Sequence, residues 1–157
     1  MVMPLSSNLK LYTNVEIKEI DKHGKILHTY RYKNLVVNIG RQQIAYMLGE
    51  GNSNKIYYVA WGDGGHDPSD PSTALGADAT DTALGNELYR KVRESFSYPT
   101  TTSVKFVGQI NAGELVGSGI SEMALFHTDN TTLFARVTFP LIYHGANILT
   151  FNWTINI

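Results

Sequence analysis

Four side chains with ligand chemistry crowd into one stretch, "WGDGGHDPSDPSTALG", residues 61–76. Asp63, His66, Asp67 and Asp70 bring three carboxylates and one imidazole close together in sequence. A mostly oxygen donor set suits a hard cation, so calcium is the ion to consider. The spacing fits none of three common ion- or phosphate-binding patterns. An EF-hand needs D-x-[DN]-x-[DN]-G and a Glu at the twelfth position. A zinc site needs His or Cys in pairs, and a phosphate loop needs G-K-[ST]. Each residue also has a role in turns. Gly62, Gly64 and Gly65 permit positive φ, and the Asp-Pro pairs at 67–68 and 70–71 start turns. The stretch reads first as a long connection, about residues 62–85, with Asp63, His66, Asp67 and Asp70 as weak metal candidates. Its length exceeds that of an ordinary loop, which points to a contact with another chain.

Other chemistry is thinner. With no cysteine, disulfides, thiolate metal sites and cysteine nucleophiles are excluded. Ser118 in "VGSGIS" lacks the G-x-S-x-G spacing of a nucleophile elbow. His23, His28, His66, His127 and His144 are dispersed without H-x-x-x-H spacing and read as surface or turn residues. Paired acids for glycoside hydrolysis can come from anywhere in a fold, so Glu114 and Glu122 stay open, but nothing selects them. The expectation is a protein without catalytic residues or cofactor.

The elements that would position these groups are mostly strands. In "LTFNWTINI", Leu149, Phe151, Trp153, Ile155 and Ile157 alternate with Thr and Asn, giving one apolar and one uncharged polar face. "NVEIKEI" and "KILHTYRY" flank "DKHG" as a hairpin. "KIYYVAW" is apolar on both faces and predicts a buried strand. "LYRKVRESFSY" places Leu88, Val92, Phe96 and Tyr98 on one face. "TSVKFVGQI" follows. "GISEMALFH" and "TTLFARVTF" form a hairpin around "TDN", and Pro140 with "HGAN" separates them from the last strand. One helix is predicted, about residues 39–48, with Asn38 as N-cap, Ile44, Met47 and Leu48 on one face, and Gly49 as its stop. The fold class is mainly β: an antiparallel β-sandwich with one short helix and an N-terminal β-hairpin extension. We expect a single domain over residues 1–157, an arm or hairpin at 1–33 and a sandwich body at 34–157. "STALG" at 72–76 recurs as "DTALG" at 81–85, too short a repeat for a solenoid.

The 157 residues, 43% apolar and 17% charged, suit one ordered domain. No apolar run approaches the roughly 20 residues of a membrane span, and the start lacks the n- and h-regions of a signal peptide. The net charge of −1 predicts no general affinity for nucleic acid. The charge is uneven: residues 1–55 hold eight Lys or Arg against four acids, and residues 56–157 hold five against ten. Lys10, Lys18, Lys22, Lys25 and Arg31 supply much of the excess, and with Tyr12 and Tyr30 they form the expected partner interface, set to meet an acidic neighbour. Nine tyrosines suit interfaces, because Tyr buries area while keeping a polar tip.

The order of parts resembles a group of small virion proteins of tailed bacteriophages. The middle resembles the particle-attaching N-terminal domain of phage tail fibres, in which a strand ends in a "VGDG"-like turn, a Pro-rich loop leads to "TAL…E.YR", and an "E.GLF…D" hairpin follows. "AWGDG", "TALGNELYR" and "SEMALFHTDN" stand in those places, and the likeness spans about residues 33–157. It implies a structural role in a virion, made in the host cytoplasm, as a homo-oligomer contacting other virion proteins, with no nucleic acid or membrane partner. The fibre proteins continue into a shaft, whereas this sequence stops at Ile157 and adds an N-terminal hairpin. Those departures favour a stand-alone fibre or baseplate adaptor, with a capsid decoration protein as the alternative. Two other classes remain: a receptor- or glycan-binding module with Tyr and Trp61 as a stacking platform, and a hydrolase of cell-wall sugars.

Overall fold

A computed structural model describes residues 11–51 and 54–157. Strand β1 (Tyr12–Ile20) and β2 (Ile26–Lys33) form the expected hairpin. The chain continues through β3 (Leu35–Val36), helix α1 (Asn38–Glu50) and β4 (Ile56–Gly62). Two short strands follow, β5 (His66–Asp67) and β6 (Asp70–Ala74), then β7 (Glu87–Val92) and β8 (Ser95–Thr100). The last four are β9 (Ser103–Ile110), β10 (Gly119–His127), β11 (Leu133–Tyr143) and β12 (Ile148–Asn156). One five-stranded sheet has the order β2-β1-β12-β9-β8 and the other β3-β11-β10-β4-β7, every pairing antiparallel. The architecture is the β-sandwich with one helix that the alternation predicted.

The core follows from the period of two. Leu149, Phe151, Trp153 and Ile155 of β12 are all buried, while the intervening Thr and Asn side chains lie on the outer face. They meet Val59 and Trp61 of β4, Met123 and Leu125 of β10, and Val137 and Phe139 of β11 in one cluster. Trp61 and Phe151 link the sheets with ring centroids 5.5 Å apart. Gly108 of β9 lies under Val59 and Trp61, where a Cβ would crowd both. The hairpin belongs to this body. β1 is an interior strand between β2 and β12, and Val15 and Ile17 are buried in the shared core. Tyr32 of β2 stacks on Phe139 across the sandwich at 5.2 Å.

Several local expectations are corrected. Asn38 does not cap α1: Val37 holds the N-cap position without a side-chain bond, and the Asn38 N–H donates to the Ala79 carbonyl. The helix passes Gly49 and ends at Gly51, which takes the left-handed conformation at φ 65°. Ile44 packs on the core, but Met47 and Leu48 are exposed. Leu88, Val92, Phe96 and Tyr98 do not share a buried face. The chain leaves one sheet after β7 and enters the other as β8, and all four side chains are exposed. Pro140 does not end its strand. It sits inside β11 where the register with β10 shifts, a bulge where its missing N–H costs no ladder bond. No described helix is long and apolar enough to cross a membrane.

Candidate functional site

The stretch after β4 is an excursion laid over the outer face of the β3–β11–β10–β4–β7 sheet. On that face Ala60, Ala124, Phe126 and Leu133 are buried beneath Val37 and Leu84. Sheet strands buried on both sides need a lid, and residues 63–86 with the start of α1 provide it. β5 and β6 pair within the excursion and pack against β11.

What pins the excursion is a carboxylate that sequence spacing did not select. Glu122 lies mid-strand on β10 and is 0% exposed. Its Oε1 accepts from the Gly64 N–H at 3.0 Å and the Asn86 N–H at 2.8 Å. Its Oε2 accepts from the Gly85 N–H at 2.9 Å and from Arg136 Nε and Nη2 at 3.0 and 2.7 Å. Arg136 extends the chain, with Nη1 2.7 Å from Asp81 Oδ2. Burial opposes the guanidinium charge, but the bonds to Asp81 and Glu122 outweigh it and raise the pKa above the ordinary value. Beside Glu122, Ser121 Oγ accepts from the Gly65 N–H at 2.9 Å and shares a hydrogen bond with His66 Nδ1 at 2.9 Å. One signal was available in the sequence: the lone Glu of "GISEMALFH" and the lone Arg of "TTLFARVTF" stand in two apolar strands of one hairpin, so each charge needs the other.

The glycines follow from this geometry. Gly62, Gly64 and Gly65 do not have positive φ, contrary to the turn argument. A Cβ on Gly65 would overlap the Ser121 carbonyl oxygen, and one on Gly62 would overlap the Asn86 carbonyl oxygen. Close backbone approach is the requirement here.

The four metal candidates are placed apart in function. Asp63 Oδ1 accepts from Asn86 Nδ2 at 2.6 Å, and His66 is held by Ser121. Asp67 Oδ1 binds the N–H and hydroxyl of Ser69 at 2.8 and 2.7 Å. Asp70 Oδ1 binds the N–H and hydroxyl of Ser72, and its Oδ2 binds the Thr73 hydroxyl at 2.6 Å. These are Asx turns, and the hydroxyl bonds hold both carboxyls below the usual carboxylate range. Among the described residues no group of three His, Asp or Glu side chains converges as an ion site. Glu114 lies elsewhere, bonded to the Asn111 N–H at 2.8 Å and the Tyr89 hydroxyl at 2.9 Å. His127 and His144 are buried, not at the surface as expected. Trp61 is 0% exposed and stacked on Tyr89 at 6.0 Å, so it offers no platform to a glycan.

The expected interface residues fall into three places. Lys10 lies outside the described residues. Lys18 and Arg31 stand on the outer face of the first sheet, each 2.8 Å from Glu16. Lys22 and Lys25 are exposed at the β1–β2 turn. Tyr12 is exposed, whereas Tyr30 packs against the core.

A surface that sequence reasoning missed lies at the end of the sandwich. Leu11, Ile44, Met47, Phe96, Tyr98 and Ile157 line an apolar groove of about 330 Å³ between α1 and β8. Tyr98 is 73% exposed, and Leu48 beside Met47 is 83% exposed. Arg93 crosses the Phe96 ring with its guanidinium 4.8 Å from the centroid. No protein-family model, curated protein or solved structure matches this chain.

Proposed function

We propose that the chain is a non-enzymatic structural protein of a tailed-bacteriophage virion, a homo-oligomeric attachment or adaptor subunit at the tail fibre or baseplate. Capsid decoration is the alternative location. The virion assignment draws on the order of motifs across residues 33–157. The observation that carries a role in assembly is the apolar groove between α1 and β8, with Met47, Leu48, Phe96 and Tyr98 at the surface. Contiguous apolar surface on a small domain marks a place where another protein docks. The two acids left open for chemistry support the same reading, because Glu122 is committed to holding the excursion and Glu114 to the Asn111 N–H and the Tyr89 hydroxyl. The occupant of the groove is a neighbouring virion protein.

The test uses Met47→Lys and Tyr98→Lys, both at exposed positions. Each variant melts as the wild type does and fails to enter particles when it replaces the wild-type chain during infection. Incorporation at the wild-type level contradicts the proposal.

A further inference from the structure

The outer face of the β2-β1-β12-β9-β8 sheet is polar and cationic, and among the described residues no element packs over it. Register places Lys33, Asn14, Thr154 and Lys105 in one line across four strands, and Arg31, Glu16 and Asn152 in the next. These residues and Lys18 line a groove of about 490 Å³. It holds four cations and one acid. Glu16 engages Lys18 and Arg31, while Lys33 and Lys105 have no ion-pair partner among the described residues.

The excursion, laid over the outer face of the other sheet, is acidic. Residues 62–89 contain Asp63, Asp67, Asp70, Asp78, Asp81 and Glu87 and no Lys or Arg. Asp63, Asp81 and Glu87 are tied to Asn86, Arg136 and Arg90. Among the described residues, the Asp67, Asp70 and Asp78 carboxylates bond only within their own turns and can accept further donors. Four cations less Glu16 leave a net three positive charges in the groove.

We propose that the cationic groove binds the Asp67–Asp70–Asp78 side of a second copy of this chain, head to tail. This deepens the homo-oligomeric reading above and rests on it. Because the two faces lie on opposite sides of the sandwich, each contact leaves one groove and one acidic side free. Such a heterologous contact grows into a ring or a stack.

Sedimentation velocity on the purified full chain tests this. The wild type forms oligomers at low salt and shifts toward monomer at about 0.5 M salt, where screening shortens to a few ångströms. The double variant Lys33→Glu/Lys105→Glu spoils the groove while sparing the Glu16 pairs. The triple variant Asp67→Asn/Asp70→Asn/Asp78→Asn removes charge but keeps the side-chain oxygen that each turn uses. Each variant alone is monomeric with a wild-type melting temperature. Mixed, they form dimers and nothing larger, since one intact groove meets one intact acidic side. A wild type monomeric at low salt overturns the proposal, whether an acidic peptide or an acidic glycan proves to fill the groove. Oligomers that survive either set of substitutions, or a mixture without dimers, overturn it equally. No particle enters the measurement, so its failure is distinct from a failure of the virion reading.

Discussion

Glu122 gathers five hydrogen bonds on two carboxylate oxygens, three of them from backbone N–H groups of the excursion. Its charge is buried, so it is tolerable only while those donors and Arg136 stay in place. Glu122→Gln puts an amide N–H₂ against donors and leaves Arg136 facing Asp81 alone. The expected cost is about 3–5 kcal/mol in urea unfolding, as for other broken buried ion pairs. Asp81→Asn, at the less buried end of the same network, costs less. His127 predicts a pH dependence. Burial favours its neutral ring and lowers its pKa below 6.5, against the raising effects of the Asn54 carbonyl and Asp129. The unfolded chain therefore takes up a proton before the folded one does. Stability falls as pH drops below 6.5 toward the folded value, since stability rises with pH wherever the unfolded state binds more protons. The lowered carboxylates Glu16, Glu19 and Asp129 add a loss of the same sign at lower pH. Melting temperatures measured across pH 7 to pH 5 decline for the wild type and decline less for His127→Asn.

At the scale of elements, β1 decides the fate of a truncation. It supplies Val15 and Ile17 to the core and pairs with both β2 and β12. Deleting residues 1–20 exposes the edge of β12 and removes both side chains, so the truncated chain shows no cooperative melting transition. An arm used only for assembly would leave that transition intact. Trp153→Ala leaves a cavity between the sheets and costs about 3–5 kcal/mol by the same unfolding measurement. The strands were legible where one face meets water, as in β12 and the β1–β2 hairpin, because alternation then records the pleat. Legibility failed where the chain changes sheet. The alternation of Leu88, Val92, Phe96 and Tyr98 runs through a break at Arg93 and Glu94, whose N–H groups bond Tyr57 in one sheet and Val107 in the other. It failed again for the excursion. Local sequence shows turn residues, but only the tertiary fold brings Gly64, Gly85 and Asn86 to one carboxylate far along the chain. The helix boundaries shifted for a local reason, since Gly51 and not Gly49 takes the left-handed conformation.

For the whole molecule, the excursion over residues 63–86 is a lid held by protein groups. Adding EDTA or calcium therefore leaves the melting temperature unchanged, whereas an ion bound only by the folded state raises it. With the lid accounted for by internal bonds, two surfaces among the described residues stay open, the apolar groove at the helix end and the cationic face of the β2-β1-β12-β9-β8 sheet. Both are suited to protein contacts, and both reach solvent in the single chain. The proposed role is that of a repeated structural part of a virion. Cryo-electron microscopy of the particles produced with this chain tests it most directly. The expected result is density that fits this sandwich, repeated by symmetry at the tail fibre or baseplate, with Met47 and Tyr98 against a neighbouring protein. Particles that lack such density while the chain stays free in the lysate would contradict it.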